Sequence, residues 1–450
     1  MDNSINNDLN SNPQFVNLDK DMPTIIKVIG VGGGGNNAIN HMYEQDIKGV
    51  SFVVCNTDRQ ALYGSPVPTK VLIGPNTTHG LGAGNRPEVA REAAEESAEE
   101  IAALFDDDTR MVFITAGMGG GTGTGAAPVV ARIAKERGVL TIGIVTIPFF
   151  FEGEKKILKA LDGADEMKKY VDALMVINNE RLTEIYSELN FLNAFGKADD
   201  TLSIAARSIS ELITSEGRIN LDFNDVNTTL RDGGVAVISS GYGEGERRVT
   251  KAIEDALNSP LLKNRDVYGS KRILVNIYFS REAKQPFVMD EMKEMHEFMS
   301  NFAPEVDVIW GVAFDENLGE KIKVTILAAG FDVTLRNEGP HPGKAETHTT
   351  VRQSIIDEPT PDGRERLEDI YGQEKVSQTE QIRARARYKV LLPDEFDDDT
   401  VIQELEKNPT LHRDTKSIAK KPASVQSSIP TVISSDNSKS SKSQGSKIVF

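Results

Sequence analysis

Runs of consecutive apolar residues alternate along the first half of the chain with segments that repeat apolar positions every three or four residues. Unbroken apolar runs are typical of strands buried on both faces of a sheet, and the intervening pattern is typical of helices. Strands that alternate with helices indicate a parallel α/β sheet. The predicted strands cover residues 25–31, 50–55, 71–74, 111–115, 139–147 and 173–177.

The second half opens with a long predicted helix over residues 192–214, which Gly217 ends. Further apolar runs beyond it predict a second α/β domain, more mixed in strand direction than the first. The apolar stripe of the long helix has helical spacing and comprises Phe195, Leu202, Ala206, Ile209 and Ile213. The later strands are predicted at residues 235–239, 272–279, 306–314 and 321–327, with helices at 247–257 and 289–302.

Both ends of the chain are polar and lack sustained periodicity, which predicts disorder. Within the last fifty residues, a short amphipathic segment at 402–413 is a candidate docking peptide for a partner protein. The expected organisation is a disordered extension at 1–23, a first domain at 24–191, the central helix at 192–217, a second domain at 218–331, a disordered linker at 332–400 and a tail at 401–450.

The composition narrows the class of protein. A net charge of -17 over 450 residues disfavours nonspecific binding to nucleic acid. The single Cys55 excludes an intramolecular disulfide and, because it ends an apolar run, is expected to be a buried core thiol. The polar first residues predict no signal peptide, and no apolar stretch has the length of a membrane span. We therefore expect a cytoplasmic protein, and the scattered histidines indicate no metal site.

Two glycine-rich loops are the strongest chemical signal. Residues 117–128 read GMGGGTGTGAAP and lie between a predicted strand and a helical pattern over 128–137. Glycine lets the backbone approach a ligand closely, and a helix N-terminus attracts anions, so this loop predicts a site for a di- or triphosphate. The loop at 30–39, GVGGGGNNAI, matches the dinucleotide fingerprint, with Asn36 and Asn37 as expected helix caps.

The roles of two further groups of residues stay open from the sequence. Asp199 follows Phe195 by one helical turn, and the pair has two interpretations. Asp199 lies at the edge of a buried stripe, or Phe195 stacks on a purine while the Asp199 carboxylate accepts from the N1–H and amino group of guanine. Asn220, Asp222 and Asp225 fall in a short predicted loop, where such residues are common turn formers.

The combination of motifs resembles one family. The motif GGGTGTG is not a Walker loop, since no Lys-Ser/Thr follows it. Over residues 24–331 the chain resembles the FtsZ family of bacterial, tubulin-like cell-division GTPases. The resemblance rests on this motif together with GVGGGGNNA, NTD, PFFFEG and NLDFND in their order along the chain. The resemblance implies a Rossmann-like parallel-sheet GTPase domain joined by a long central helix to a second α/β activation domain, with disordered tails. It also implies head-to-tail protofilaments that form the cytokinetic ring at the mid-cell division site.

The resemblance also implies roles for particular residues. The next subunit's nucleotide site would receive Asn220, Asp222 and Asp225 as the catalytic group. Lys156 stands where the family usually has arginine, and lysine lacks the bidentate fork of a guanidinium. The implied nucleotide contacts are Gly33, Gly34, Gly35, Asn36, Asn37, Gly121, Thr122 and Gly123 for the loops, Glu152 and Lys156 near the ribose, and Asn179, Phe195 and Asp199 at the guanine.

The implied substrate is GTP, with Mg²⁺ held mainly by phosphates and water. The implied partners are further copies of the chain and, through the tail, membrane-anchor and regulatory proteins of the division ring. Two alternatives stay open from the residues alone. One is a dinucleotide-dependent oxidoreductase, which the first loop favours and the second, richer loop disfavours. The other is a nucleotide-binding filament protein that does not hydrolyse GTP, which Asp222 and Asp225 disfavour.

Overall fold

The computed structural model describes residues 24–47, 49–185, 191–259, 267–331 and 361–385. The strands are β1 (Ile26–Val31), β2 (Val50–Asn56), β3 (Thr69–Leu72), β4 (Met111–Gly117), β5 (Leu140–Ile147), β6 (Ala173–Asn178), β7 (Gly217–Ile219), β8 (Gly234–Gly243), β9 (Arg272–Phe279), β10 (Asp307–Phe314) and β11 (Ile322–Phe331). The helices are α1 (Gly32–Glu44), α2 (Arg59–Tyr63), α3 (Pro75–Thr78), α4 (Pro87–Glu96), α5 (Ala98–Ala103), α6 (Thr122–Glu136), α7 (Glu154–Lys168), α8 (Asn179–Ile185), α9 (Phe191–Thr214), α10 (Phe223–Leu230), α11 (Arg248–Leu257), α12 (Glu291–Met299), α13 (Pro361–Tyr371) and α14 (Gln373–Arg385).

The first six strands form the parallel sheet that the apolar runs predict. Their order is β3-β2-β1-β4-β5-β6, and each neighbouring pair is parallel. β4 and β5 are buried along almost their whole length because helices cover both faces of the sheet. Parallel strands bring their carboxyl ends to one edge, so the loops that follow β1, β4, β5 and β6 converge there.

The sheet continues into the second half through a narrow seam. β6 pairs with β8 at only two positions, Ala173↔Gly234 and Leu174↔Val235. Beside the seam, the buried Asp172 accepts from the backbone N–H of Thr141 through its carboxylate and from that of Gly234 through its carbonyl. Beyond β8 the order is β11-β9-β10-β7, with antiparallel pairs except between β9 and β10. The expected mixed character of this half is therefore observed.

The long helix expected between the two halves is present as α9. Leu202, Ala206 and Ile209 of its predicted stripe are buried, together with Ala205 and Leu212, in the hydrophobic core on one face of the sheet. The apolar spacing was therefore a sound guide to the buried face. On the opposite face, α4, α5, α6 and α7 enclose a second core. Cys55 is fully buried there, which confirms the core-thiol interpretation, and burial raises its pKa to about 12.

The structure differs from the expected linker at residues 361–385, which form α13 and α14. The segment is polar overall, and its high charge led to the expectation of disorder. However, Leu367 and Tyr371 are four residues apart, and with Val376 they are buried against the core that contains α7. A few apolar residues at helical spacing are enough to dock a short helix on an existing core. The candidate docking peptide at 402–413 lies outside the described residues.

None of the helices in the described part of the chain combines the length and apolar character that crossing a bilayer requires.

One glycine in the second loop is fixed by packing between helices. A Cβ atom built on Gly125 of α6 would lie 2.0 Å from the carbonyl oxygen of Pro87, the first residue of α4. The same construction on Gly120, in the loop before α6, meets nothing within 4 Å. The close contact of α4 with α6 therefore depends on the missing side chain at Gly125.

We expect Gly125→Ala to lower the free energy of unfolding by about 1–3 kcal/mol, since the new methyl group must push α4 away from α6. Thermal or urea unfolding without added nucleotide would measure the change. Gly120→Ala is the matched control from the same loop and should unfold like the wild type. Equal stability of the two variants would contradict this account of the helix contact.

Candidate functional site

A cavity of about 410 Å³ lies at the edge of the sheet where the parallel strands end. It contains eleven of the thirteen residues that the sequence analysis grouped around a nucleotide. They are Gly33, Gly34, Asn37, Gly121, Thr122, Gly123, Glu152, Lys156, Asn179, Phe195 and Asp199. The fold thus brings together residues that are as much as 166 positions apart in the chain, counted from Gly33 to Asp199.

One end of the cavity is formed by the N-termini of α1 and α6. Both helices begin inside the glycine loops, α1 at Gly32 and α6 at Thr122. No side chain in the described residues caps either helix, and neither first turn contains an acidic residue. The first N–H groups of a helix have no acceptor within it, so these two ends present free donors and two positive dipole ends. This end of the cavity is suited to an anion such as a polyphosphate.

The two loops touch each other directly. Gly32 has a φ of +75°, and a Cβ atom on it would lie 2.7 Å from the backbone nitrogen of Gly123. The hydroxyl groups of Thr57, just after β2, and Thr122, at the start of α6, form a hydrogen bond of 2.7 Å. Only glycine permits this backbone conformation at such close range, which explains why the sequence is so rich in glycine here.

The helix starts differ from two sequence expectations. Helix α6 begins at Thr122, not at Pro128, so the last part of the glycine loop is already the helix's first turn. Asn36 and Asn37 do not cap α1, because that helix begins at Gly32 and both residues fall in its second turn. Helix α1 starts at a glycine without a side-chain cap, so the preference for asparagine at N-caps predicted its start too far along the chain.

Gly35 and Asn36 are buried behind the cavity wall instead of lining the cavity. A Cβ atom on Gly35 would lie 2.3 Å from the carbonyl oxygen of Thr115 in β4. The Asn36 amide, with its nitrogen facing the carbonyl oxygen of Gly30, donates to it at 2.9 Å and also reaches the carbonyl of Cys55. These two residues hold α1 against the sheet and so position the loop from behind.

The opposite end of the cavity is aromatic and acidic. Phe195 of α9 is 37% exposed and meets Phe149 edge to face, with ring centroids 5.1 Å apart. Asp199 lies one turn further along α9, and partial burial raises its pKa to about 6. Asn179, at the start of α8, is buried, and its side-chain oxygen has no hydrogen-bond partner in the described part of the chain. A flat aromatic ligand with N–H groups on its edge would satisfy both the amide oxygen and the carboxylate.

A charged pair forms the side wall between these two ends. The Lys156 ammonium donates to the Glu152 carboxylate at 2.5 Å, and the other oxygen of Glu152 accepts from the backbone N–H of Phe149 at 2.8 Å. Glu152 therefore holds the short 3₁₀ turn after β5 in place, while Lys156 keeps a positive charge on the cavity wall.

Asn220, Asp222 and Asp225 do not join the cavity. Asn220 and Asp222 lie in the expected short loop, between β7 and α10, whereas Asp225 lies in the first turn of α10. The Asp222 carboxylate accepts from the N–H of Asp225 at 3.1 Å, and the Asp225 carboxylate accepts from the N–H of Asp222 at 2.8 Å. This reciprocal arrangement is a helix capping box, and its sequence signal is an acidic residue three positions after an N-cap. Asn220 accepts from the N–H of Gly217 at 2.6 Å and is exposed, as is Asp222.

The cavity also contains residues that the sequence analysis did not assign to the nucleotide site. Thr146 and Pro148 lie at the carboxyl end of β5, and the position of a residue just after a parallel strand is the signal that could have found them. Ala198 and Leu202 add apolar surface beside Asp199, and Met118 lies in the second glycine loop.

Known families and solved structures match the chain over both halves of this fold. The description "Tubulin/FtsZ family, GTPase domain" matches residues 25–187, and "FtsZ family, C-terminal domain" matches residues 234–332. Among solved structures, an empty FtsZ dimer of M. jannaschii has a TM-score of 0.62 at 41% identity and covers 69% of this chain and 89% of its own. A CetZ2 protofilament of Haloferax volcanii with bound GTPγS shares the fold, with a TM-score of 0.60 at 18% identity over 79% of this chain and 99% of its own.

Relatives that carry the name cell division protein FtsZ include two with the following alignments. That of Porphyromonas gingivalis is 50% identical over 402 residues, which are 89% of this chain and 87% of the relative. That of Aquifex aeolicus is 44% identical over 319 residues, or 71% of this chain and 84% of the relative. Both domain descriptions match in their order along the chain, and half of the residues aligned with the Porphyromonas gingivalis relative are identical. This chain therefore belongs to the FtsZ family.

Proposed function

We propose that this protein is the cell-division GTPase of its cell, which assembles head to tail into protofilaments and hydrolyses GTP where two subunits meet. The observation that carries the proposal is one cavity that has two uncapped helix N-termini at one end and Phe195, Asn179 and Asp199 at the other. A guanosine triphosphate has the matching polarity, with anionic phosphates at one end and a flat base with N–H donors at the other. The matched GTPase domain supports this choice, and the oxidoreductase alternative is not supported.

Base selection follows from the hydrogen-bonding groups at the aromatic end. Phe195 stacks on the purine, and the ionised Asp199 accepts from the N1–H and exocyclic amino group of guanine. Adenine has no matching pair of donors on that edge, so the carboxylate favours GTP over ATP. Asn179 contributes its buried amide oxygen, and Glu152 with Lys156 contacts the ribose side.

Hydrolysis needs a group that polarises the attacking water. The acids that line the cavity are Glu152, which is paired with Lys156, and Asp199, which lies at the base end. Asp222 and Asp225 lie outside the cavity and accessible to solvent at the start of α10. We propose that they enter the nucleotide site of the neighbouring subunit together with Asn220, so that each active site is shared by two molecules.

Mg²⁺ would act by neutralising charge on the phosphates. In the described residues, no three Asp, Glu, His or Cys side chains are grouped so that they could hold a metal ion. Phosphate oxygens and water would therefore be its main ligands, which suits the preference of Mg²⁺ for keeping part of its hydration shell.

In the cell, the filaments would form the cytokinetic ring at the mid-cell division site. The segment at 402–413 would bind membrane-anchor and regulatory proteins of that ring, and the net charge of -17 argues against nucleic acid as a partner.

Binding of GDP should weaken as the pH falls. The Asp199 pKa is about 6, raised by burial, so the carboxylate is mostly ionised at pH 7 and mostly protonated at pH 5. A protonated acid cannot accept from both guanine donors, and proton linkage then gives about a tenfold rise in Kd between these pH values. Equilibrium dialysis with labelled GDP at several pH values would measure it.

The Asp199→Asn variant is the control for that experiment. The variant keeps His41 and Asp200, whose charges act on the Asp199 carboxylate, and the nucleotide is the same for both proteins. Only the contribution of Asp199 is removed, so the variant should bind GDP more weakly at pH 7 and with a flatter pH dependence. Parallel pH profiles for the two proteins would refute the role of Asp199.

Removing the negative charges at the start of α10 should slow turnover strongly but leave nucleotide binding unchanged. Asparagine is also a good N-cap, so Asp222→Asn keeps the helix while it removes the charge. We expect the Asp222→Asn/Asp225→Asn protein to bind GTP with unchanged Kd and to lose about a hundredfold in kcat. Phosphate release and nucleotide binding, measured on the same sample, separate the two effects.

Mixing the two impaired variants tests whether the site is shared. The Asp222→Asn/Asp225→Asn protein retains the cavity, whereas Asp199→Asn retains the acids and binds nucleotide poorly. If the acids act across subunits, an equimolar mixture should hydrolyse GTP faster than either protein alone. A mixture no faster than the average of its components would contradict the shared site, as would a rate per subunit that does not fall on dilution below the assembly concentration.

A further inference from the structure

Residues 361–376, here named the strap, dock on the nucleotide-binding half through a buried arginine that pairs with two carboxylates. The guanidinium of Arg366 donates to Asp162 at 2.7 Å and to Asp165 at 2.9 Å, both on α7. The Arg366 side chain is only 7% exposed. A charge buried to this degree is stable only when it is paired, so Arg366 fixes where α13 lies on α7.

The strap then reaches the loop that follows β5. The hydroxyl of Tyr371 donates to the carbonyl oxygen of Pro148 at 2.6 Å, and the Tyr371 ring packs on Phe150 with centroids 5.2 Å apart. Leu367 and Val376 are fully buried on either side of Tyr371 along the strap. The contact is therefore built from specific polar atoms inside an apolar surface, which selects one geometry of the loop.

A second polar connection joins the strap to the same loop. Lys375 donates to one carboxylate oxygen of Glu180 at 3.0 Å, and the other oxygen accepts from the backbone N–H of Phe150 at 2.9 Å. Glu180 follows Asn179, the residue with the buried amide oxygen in the cavity. One carboxylate thus ties the strap, the loop after β5 and the start of α8 together.

The opposite side of this loop faces the cavity. Pro148 and Glu152 line it, and Phe149 supports Phe195 edge to face. The strap therefore contacts one residue that lines the nucleotide site, Pro148, and another, Phe150, that is adjacent to Phe149. A loop held from behind keeps its front residues in place without the loss of entropy that ordering it on binding would cost.

We propose that the strap is a positioning element for guanine nucleotide binding, with Tyr371 and Arg366 as its positioning residues. The inference rests on the nucleotide site proposed above. Tyr371 acts through Pro148 and Phe150 and does not touch the ligand. When the strap is docked, the loop presents Phe149 and Glu152 in the geometry that the nucleotide needs, and when it is released, the loop must be ordered by the nucleotide itself.

The test compares three variants of the full chain. Tyr371→Phe removes only the hydroxyl that holds Pro148, and Arg366→Gln removes the buried charge. Arg364→Gln removes the same charge from an exposed position of the same helix, where Arg364 pairs with Glu368. Equilibrium dialysis gives the Kd for GDP, steady-state phosphate release gives KM and kcat, and amide hydrogen exchange reports on residues 149–153.

We expect Tyr371→Phe and Arg366→Gln to raise the Kd for GDP by about threefold or more, the size of a typical coupling between adjacent elements. Amides of residues 149–153 should exchange faster in both variants, and the effect on hydrolysis should appear in KM rather than in kcat. Arg364→Gln should match the wild type. A strap that only covers apolar surface would lower the thermal stability of Arg366→Gln but leave nucleotide binding and loop exchange unchanged.

Wild-type Kd and loop exchange in Tyr371→Phe would overturn the proposal even if Arg366→Gln did not fold, because Tyr371→Phe keeps the ring and its packing. Failure of the strap is distinguishable from failure of the site. If the wild-type protein bound no GDP, the site and the strap would both be refuted, whereas unchanged binding in the variants would refute the strap alone.

Discussion

Contact between two glycine backbones allows two helices to begin at the same cavity. Gly32 and Gly123 approach so closely that a side chain on Gly32 would overlap the other backbone. Because of that approach, the free N–H groups at the N-termini of α1 and α6 face the same end of the cavity. The rest of the site is arranged around this end: the sheet edge supplies Thr146 and Pro148, and α9 supplies Phe195 and Asp199. Loss of the glycine contact would separate the two donors even if every other residue stayed in place.

Much of the fold could be predicted because its signals are local. Buried parallel strands read as continuous apolar runs, and the predicted strand at residues 139–147 differs from β5 by a single residue. The predicted stripe on α9 named Leu202, Ala206 and Ile209, which are buried. Helix starts were less predictable, since α1 and α6 begin at residues that carry no capping side chain. The strap was missed because its docking depends on Asp162 and Asp165, whose proximity to Arg366 is a property of the fold.

Much of the candidate site could also be predicted, because the glycine loops are local signals in the sequence. A plain turn needs only one or two glycines, so a dense run of them indicates a loop built for close backbone approach, and composition alone located both loops. Gly35 and Asn36 were grouped with them, but they hold the loop from behind, a distinction that requires knowing which face of α1 meets the sheet. Asp222 and Asp225 were found as acids, whereas their mutual capping became visible only with the hydrogen bonds of α10. That capping fixes the two carboxylates before any partner arrives.

The position of the strap also decides where mechanical load would enter the molecule. Without it, any tether formed by the C-terminal part of the chain would begin at the end of β11, in the second half of the sheet. With residues 361–376 docked, the tether begins instead beside the loop after β5, and Arg366 and Tyr371 are its anchor points. A force applied to the tail would therefore act first on the wall of the nucleotide cavity. If the tails hold the proposed filament at a membrane, tension on a tail would be transmitted to the nucleotide site of its own subunit.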